Sequence, residues 1–224
     1  MPNVVFSGGD SMIPMARDFA RNGCGIVSLY PPDADRLRNA DIQSAVPLAS
    51  MVDSIINERA NYEAAYAIRD ILDGLPENEV FSLLDPKMVE RVQYLVPSYL
   101  IDNLKNLAMV VLCLDKLKPD GIILHNDVES IPRLAAMWAK ARGVPCLHLP
   151  HAVYLEQKNR APVGCDVHDL VTASHLACAG WFQRQWYFER GFPSENIIEV
   201  GIPRMDKLCN MKMERDRIYD IFKL

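Results

Sequence analysis

The feature that most narrows what this chain can fold into is a rhythm. Short, wholly apolar runs are each closed by glycine, proline or a polar cluster, and helix-length amphipathic segments follow them. "NVVFSGGDSMIPMARDFARNG" opens with the run VVF at residues 4–6, is broken by Gly8 and Gly9, and continues as a helix through about Asn22, with Gly23 at its stop. "CGIVSLYPP" then reads as a second strand, ended by Pro31 and Pro32. Strand, helix and strand within about thirty residues is the βαβ unit of a parallel sheet. Strands buried on both faces also explain why these runs are apolar throughout and do not alternate.

The same units return in the second half. "GIILH" reads as a strand, "SIPRLAAMWAKARG" as a helix stopped by Gly143, and "VPCLHLP" and "LVTAS" as strands. "SHLACAGWFQRQWYFERG" reads as a helix ending at Gly191, and "NIIEVGIP" as the last strand. The aromatic residues Trp181, Trp186, Tyr187 and Phe188 sit at helical spacing and are assigned to packing. The expected fold is therefore α/β: a Rossmann-like, mostly parallel sheet of about six strands with helices on both faces. Residues 49–118 interrupt the rhythm with helical periodicity alone. Breaks are expected at "DGLPEN", Asp85-Pro86 and Val96-Pro97, giving two or three packing helices. The expected organisation is one domain over residues 1–205, carrying that helical excursion, and a crossing helix over residues 206–224.

The chain of 224 residues carries 24 Lys and Arg against 29 Asp and Glu, a net charge of −5, so no basic footprint for nucleic acid is present. Its six cysteines form no CxxC pair, and Cys113 lies in the apolar run "MVVLCLDKL", where a thiol behaves as a small hydrophobe. These features, with an opening "MPNVVFSGGD" that lacks a basic leader, lead to the expectation of a cytoplasmic protein. No uninterrupted apolar run reaches the ~18–20 residues that span a membrane.

Three polar clusters fall at predicted strand ends, where ligands of open α/β sheets sit. The first is "SGGDS": Ser7, Gly8, Gly9, Asp10 and Ser11. Backbone N–H groups at a glycine turn before a helix suit an anion or a sugar hydroxyl, and a tight turn with Asp10 or Ser11 as helix cap reads equally well. The spacing matches neither the dinucleotide nor the P-loop fingerprint. The second is "HND", His125, Asn126 and Asp127, with Glu129 just beyond. Imidazole and carboxylate together orient hydroxyls or accept protons, whereas Asp127 or Ser130 could simply cap the helix beginning near Ile131. The third is "HLPHAVYLEQKNR", which holds His148, His151, Glu156 and Arg160. His148 reads as a buried strand residue, His151 as a candidate base and Arg160 as an anion partner. With Cys165 and His168 nearby a zinc site can be imagined, but the spacing fits no common one, and no metal is expected.

On these residues the chain resembles a known superfamily. "KPDGIILHNDVESIPRLAAMWAKARGVPCLHLPHA", "EQKNR" and "ENIIEVGIPRMDKL" are similar to motifs of UDP-N-acetylglucosamine 2-epimerases. The last also resembles the V-G-x-P-R-x-D element of glycosyltransferases of GT-B architecture, which build capsules and other surface glycans. The likeness covers roughly residues 117–208. Asp127 and Glu156 match acidic positions of the epimerase site, but "HLPHA" lacks the glutamate that the epimerases carry there, and His151-Ala152 stands where the glycosyltransferases often have His-Gly. In both groups a second Rossmann domain follows and holds the nucleotide diphosphate.

The resemblance implies the N-terminal, acceptor-side half of a nucleotide-sugar-dependent glycosyltransferase, inactive without its C-terminal partner domain. It implies catalytic roles for Asp127, His151 and Glu156, and substrate contacts from Ser7 to Ser11, His125, Asn126 and Arg160. Arg204 would sit at the interdomain crossing. A UDP-sugar would be the substrate, with no tightly bound cofactor. A glycan or lipid-linked acceptor would be the partner, with peripheral membrane association through the full-length protein. A 2-epimerase-like enzyme and a non-catalytic glycan-binding or scaffold module are the alternatives.

Overall fold

The computed structural model describes residues 1–8, 10–75, 83, 85–125, 129–149 and 172–201, with Ser11 described in its backbone alone. Seven strands form one sheet: β1 (Asn3–Ser7), β2 (Gly25–Ser28), β3 (Val46–Pro47), β4 (Gly121–Leu124), β5 (Cys146–His148), β6 (His175–Cys178) and β7 (Ile197–Glu199). Their order is β3-β2-β1-β4-β5-β6-β7, and every neighbouring pair is parallel. This is the α/β, Rossmann-like sheet expected from the apolar runs.

Helices α1 (Ile13–Arg21) and α2 (Pro31–Asn39) cover one face. There Val4, Phe6, Ile26 and Ile123 meet Met12, Ala16 and Leu37. The opposite face carries α3 (Ser54–Gly74), α4 (Pro86–Leu117) and α5 (Ser130–Arg142). Val5, Val27, Ile122 and Leu124 pack there against Ile56, Cys113, Leu114, Ala135, Ala136 and Trp138. Connections running outward from β1 and from β4 in opposite directions, each with a right-handed crossover, place their helices on opposite faces. At the far side α6 (Trp181–Glu189) lays Trp186 and Tyr187 on Leu176, Cys178 and Ile197.

Local chemistry explains the boundaries. Asp85 caps α4 by accepting from the Lys87 amide at 2.8 Å, with Pro86 as first helical residue. Gly143 ends α5 in the left-handed conformation, φ 68°. Asp53 caps α3 through the Ile56 amide at 2.8 Å, and the same carboxylate meets Lys116 Nζ at 2.9 Å. That contact fastens the start of α3 to the end of α4, so the two helices run antiparallel. The burial of α3 is restricted to Ile56, Ala60, Ala64 and Ile68, a narrow ridge at i, i+4, i+8, i+12.

Several expectations change. The break at Val96-Pro97 does not occur: Pro97 lies inside α4, which runs on for 32 residues. The missing proline N–H costs one ladder bond, and the rest of the long helix outweighs it. Pro31 and Pro32, taken as the end of a strand, also begin α2, and β3 is a two-residue edge strand. Of "LVTAS" only residues 172–174 are described, and they are not strand; a strand lies on His175–Cys178, inside the segment read as helix, and α6 starts only at Trp181. Neither Asp10 nor Ser11 caps α1, whose N-cap is Met12 without a side-chain bond. Ser130 is the first residue of α5, not its cap, which is Glu129. Trp181 and Phe188 are exposed, so only Trp186 and Tyr187 keep the packing role.

Candidate functional site

The sheet reverses its direction of growth between β1 and β4. Outside the carboxyl ends of these two strands lies the switch-point position, where open α/β sheets bind their ligands. β1 delivers Ser7 and Gly8 to that point, and β4 delivers His125, because Ser7 pairs in register with Leu124.

Gly8 is required there on two counts. Its φ is +144°, and a Cβ on it would come within 2.8 Å of Met12 Cγ and 2.9 Å of His125 Cβ. The closeness is reinforced by hydrogen bonds. The His125 amide donates to the Ser7 carbonyl at 3.0 Å, and His125 Nδ1 lies 3.1 Å from the same oxygen. A carbonyl only accepts, so Nδ1 is the donor in this contact.

Asp33, in the first turn of α2, reaches the glycine turn from the other side. Its Oδ2 accepts from the Gly8 amide at 3.1 Å and its Oδ1 meets Arg36 at 3.3 Å, in a carboxylate that is almost fully buried. The first amide of the turn is thus donated to the chain's own anion. A phosphate placed at this amide would meet that negative charge at short range, whereas a neutral hydroxyl would not.

A side-chain bond joins the start of α2 to the start of α5. Tyr30 donates its hydroxyl to Glu129 Oε2 at 3.0 Å. Ser28 holds Tyr30 in place by donating to its carbonyl at 2.6 Å and accepting from its amide at 3.2 Å. Burial, followed by Glu129 and then Asp33, pushes the Tyr30 phenol well above the ordinary tyrosine range, so at neutral pH it remains a donor.

Ser7 ends the strand at this point. It continues the alternation that sends Val5 into the core beneath α3, α4 and α5. The residue is fully buried, and its Oγ has no hydrogen-bond partner among the described residues. A buried hydroxyl without a partner costs free energy, ~1–3 kcal/mol by mutational comparison. In the same register row, one strand beyond Leu124, His148 is buried as expected for a strand residue.

Of the residues singled out in the sequence, Ser7, Gly8 and His125 are brought together here. Asp10 is exposed in the short helical turn before α1, and Ser11 follows it in the same turn. Gly9, Asn126, Asp127, His151, Glu156, Arg160 and Arg204 lie outside the described residues. Tyr30, Ser28 and Asp33 were not anticipated. Pro31-Pro32-Asp33 after a strand is a helix start, with proline at the first positions and an acid in the first turn, and it would have pointed to Asp33.

No family model matches the chain, and no relative is found among curated proteins. A solved structure of UDP-N-acetylglucosamine 2-epimerase from Rickettsia bellii is similar over 100% of this chain and 52% of that one, at 15% identity and a TM-score of 0.43. The chain thus spans about half the length of that protein.

Proposed function

We propose that this chain supplies the acceptor-side half of a nucleotide-sugar-dependent glycosyltransferase of GT-B architecture, with its crevice at the switch point between β1 and β4. The observation that carries the reading is the buried, unpartnered Ser7 Oγ at that point, flanked by the Gly8 turn and His125. A hydroxyl that the fold leaves unsatisfied is matched by a ligand hydroxyl or amide that satisfies it. The Gly8 amide is already given to Asp33, which favours a sugar acceptor at this turn over a phosphate. The motif resemblance of residues 117–208 supports a nucleotide-sugar enzyme superfamily, and His151-Ala152 at the place of the glycosyltransferases' His-Gly inclines the reading to glycosyl transfer. On this reading Asp127 or His151 removes the acceptor proton, Arg160 faces an anion, and a second Rossmann-like unit brings the UDP-sugar. Membrane association and a role in surface-glycan assembly belong to the same proposal.

Saturation-transfer NMR with UDP-N-acetylglucosamine and with free N-acetylglucosamine tests it, using wild type, Ser7→Ala and Asp127→Asn. Sugar-ring protons are expected to receive more saturation than uracil protons, and Ser7→Ala is expected to lose most of the effect. Stronger saturation of uracil would overturn the acceptor-side assignment. Absence of transfer from either compound would overturn the site.

A further inference from the structure

Two helices packed only on each other cannot enclose a core. Among the described residues, the α3–α4 hairpin has little to cover it beyond its anchorage at Ile56, Cys113 and Leu114. None of the 18 residues in the most apolar window of α4 is buried, and by length and composition alone the helix could cross a membrane. Tyr62 and Tyr66 of α3 and Met88, Tyr94 and Tyr99 of α4 are all exposed, Tyr94 at 80%.

The outer surface of α4 has a definite pattern. Arg91, Leu95, Ser98 and Asp102 are spaced i, i+4, i+7, i+11 and so form one stripe. Leu95 is half-buried and the other three are exposed. The stripe reads cation, apolar, small, anion, and it is self-complementary when reversed. Arg91 and Asp102 make no ion pair with any described residue.

We propose that α4 is a homodimer interface, lying antiparallel on α4 of a second copy about a two-fold axis that passes between Val96 and Pro97. In this arrangement Arg91 faces Asp102 of the other copy, and the pair occurs twice, as an isologous contact demands. Leu95 lies against the small Ser98 of the other copy beside the axis. Tyr94 and Tyr99 flank the stripe on opposite sides, each next to its own symmetry mate, and the four helices together enclose what two cannot. A lipid surface would accept the same tyrosines, but it gives no reason for an anion and a cation placed symmetrically about one point. The inference is independent of the reaction proposed above.

Sedimentation equilibrium of the full chain tests it. Wild type is expected to be a dimer. Arg91→Asp, or Asp102→Arg, places like charges face to face and is expected to weaken the dimer roughly tenfold or more. The double variant Arg91→Asp/Asp102→Arg is expected to restore it. Because these side chains are exposed, all three variants are expected to keep the wild-type circular dichroism spectrum. A monomeric wild type, or a double swap that stays as weak as the single variants, would overturn the proposal. So would a monomer that co-sediments with phosphatidylglycerol vesicles.

Discussion

The carboxyl edge of the sheet buries polar groups and joins residues far apart in the chain, while the α3–α4 hairpin exposes apolar groups and is joined mainly to itself. At the edge, Ser7, Ser28 and Asp33 are buried, and the Tyr30–Glu129 bond links residues 99 positions apart. Along the hairpin, Tyr62, Tyr94 and Tyr99 stand in solvent. A region that holds a ligand must fix polar groups before the ligand arrives, and it is less stable for doing so. A region that meets another surface keeps its apolar groups outside until the partner covers them. The contrast separates the edge where we propose chemistry from the hairpin where we propose assembly.

The contrast can be tested by substitution, beginning with the largest effect. Gly8→Ala combines a disfavoured φ with contacts that Met12 and His125 cannot easily relieve, and it is expected to cost ~4 kcal/mol in urea unfolding. Near wild-type stability would mean that the edge is less tightly fixed than described. Leu114→Ala empties a fully buried position where the hairpin joins the sheet. An expected loss of ~3 kcal/mol would show that the two regions unfold together. Ser7→Ala runs the other way, because removing an unpartnered hydroxyl is expected to raise stability by up to ~1 kcal/mol. A marked loss of stability would show that the hydroxyl is satisfied in the folded chain.

Two smaller effects belong to the hairpin. Tyr62→Ser should change the unfolding free energy by less than ~0.5 kcal/mol, because the ring is exposed. Asp53 supplies a pH dependence. The Ile56 amide first, and then Lys116, hold its carboxyl below the usual aspartate range. Its ionised form therefore favours the fold above the unfolded-state pKa, and that contribution disappears as pH falls through the lowered folded-state value. In thermal melts, the gap between wild type and Asp53→Asn is expected to be widest near neutral pH and to shrink in acid. A gap that stays constant with pH would remove the carboxylate from the account.

Much of the sheet was legible in the sequence because apolar runs between glycines and prolines have few other uses. The failures share a cause. "HLAC" was absorbed into a helix because residues 175–178 carry no glycine or proline, while Gly180, the stop that matters, lay just beyond them. Pro97 was read as a break because local propensity weighs one lost bond, whereas a long helix distributes that loss. At the edge, Ser7, Gly8 and His125 were visible from their places at strand ends. Tyr30 was not, since its role arises only when β2 is laid beside β1 and β4 is laid on its other side, and Asp33 was signalled only as a helix-start acid, not as a partner of the glycine turn.

The central pairing of the sheet also dictates an order of assembly. Asn3 and Asp120 are joined by two hydrogen bonds across 117 positions, and β1 cannot be closed in on that side until β4 has emerged. Closing such a loop costs about 4 kcal/mol of chain entropy beyond a length-independent constant. The hairpin lies within the loop, and the contact between Asp53 and Lys116 brings together residues 63 positions apart. Helices form quickly from local contacts, so once α3 and α4 are zipped the remaining search is shorter, by about 0.7 kcal/mol of entropy. The segment that looks like an interruption of the α/β rhythm thus helps the first strand to meet the fourth.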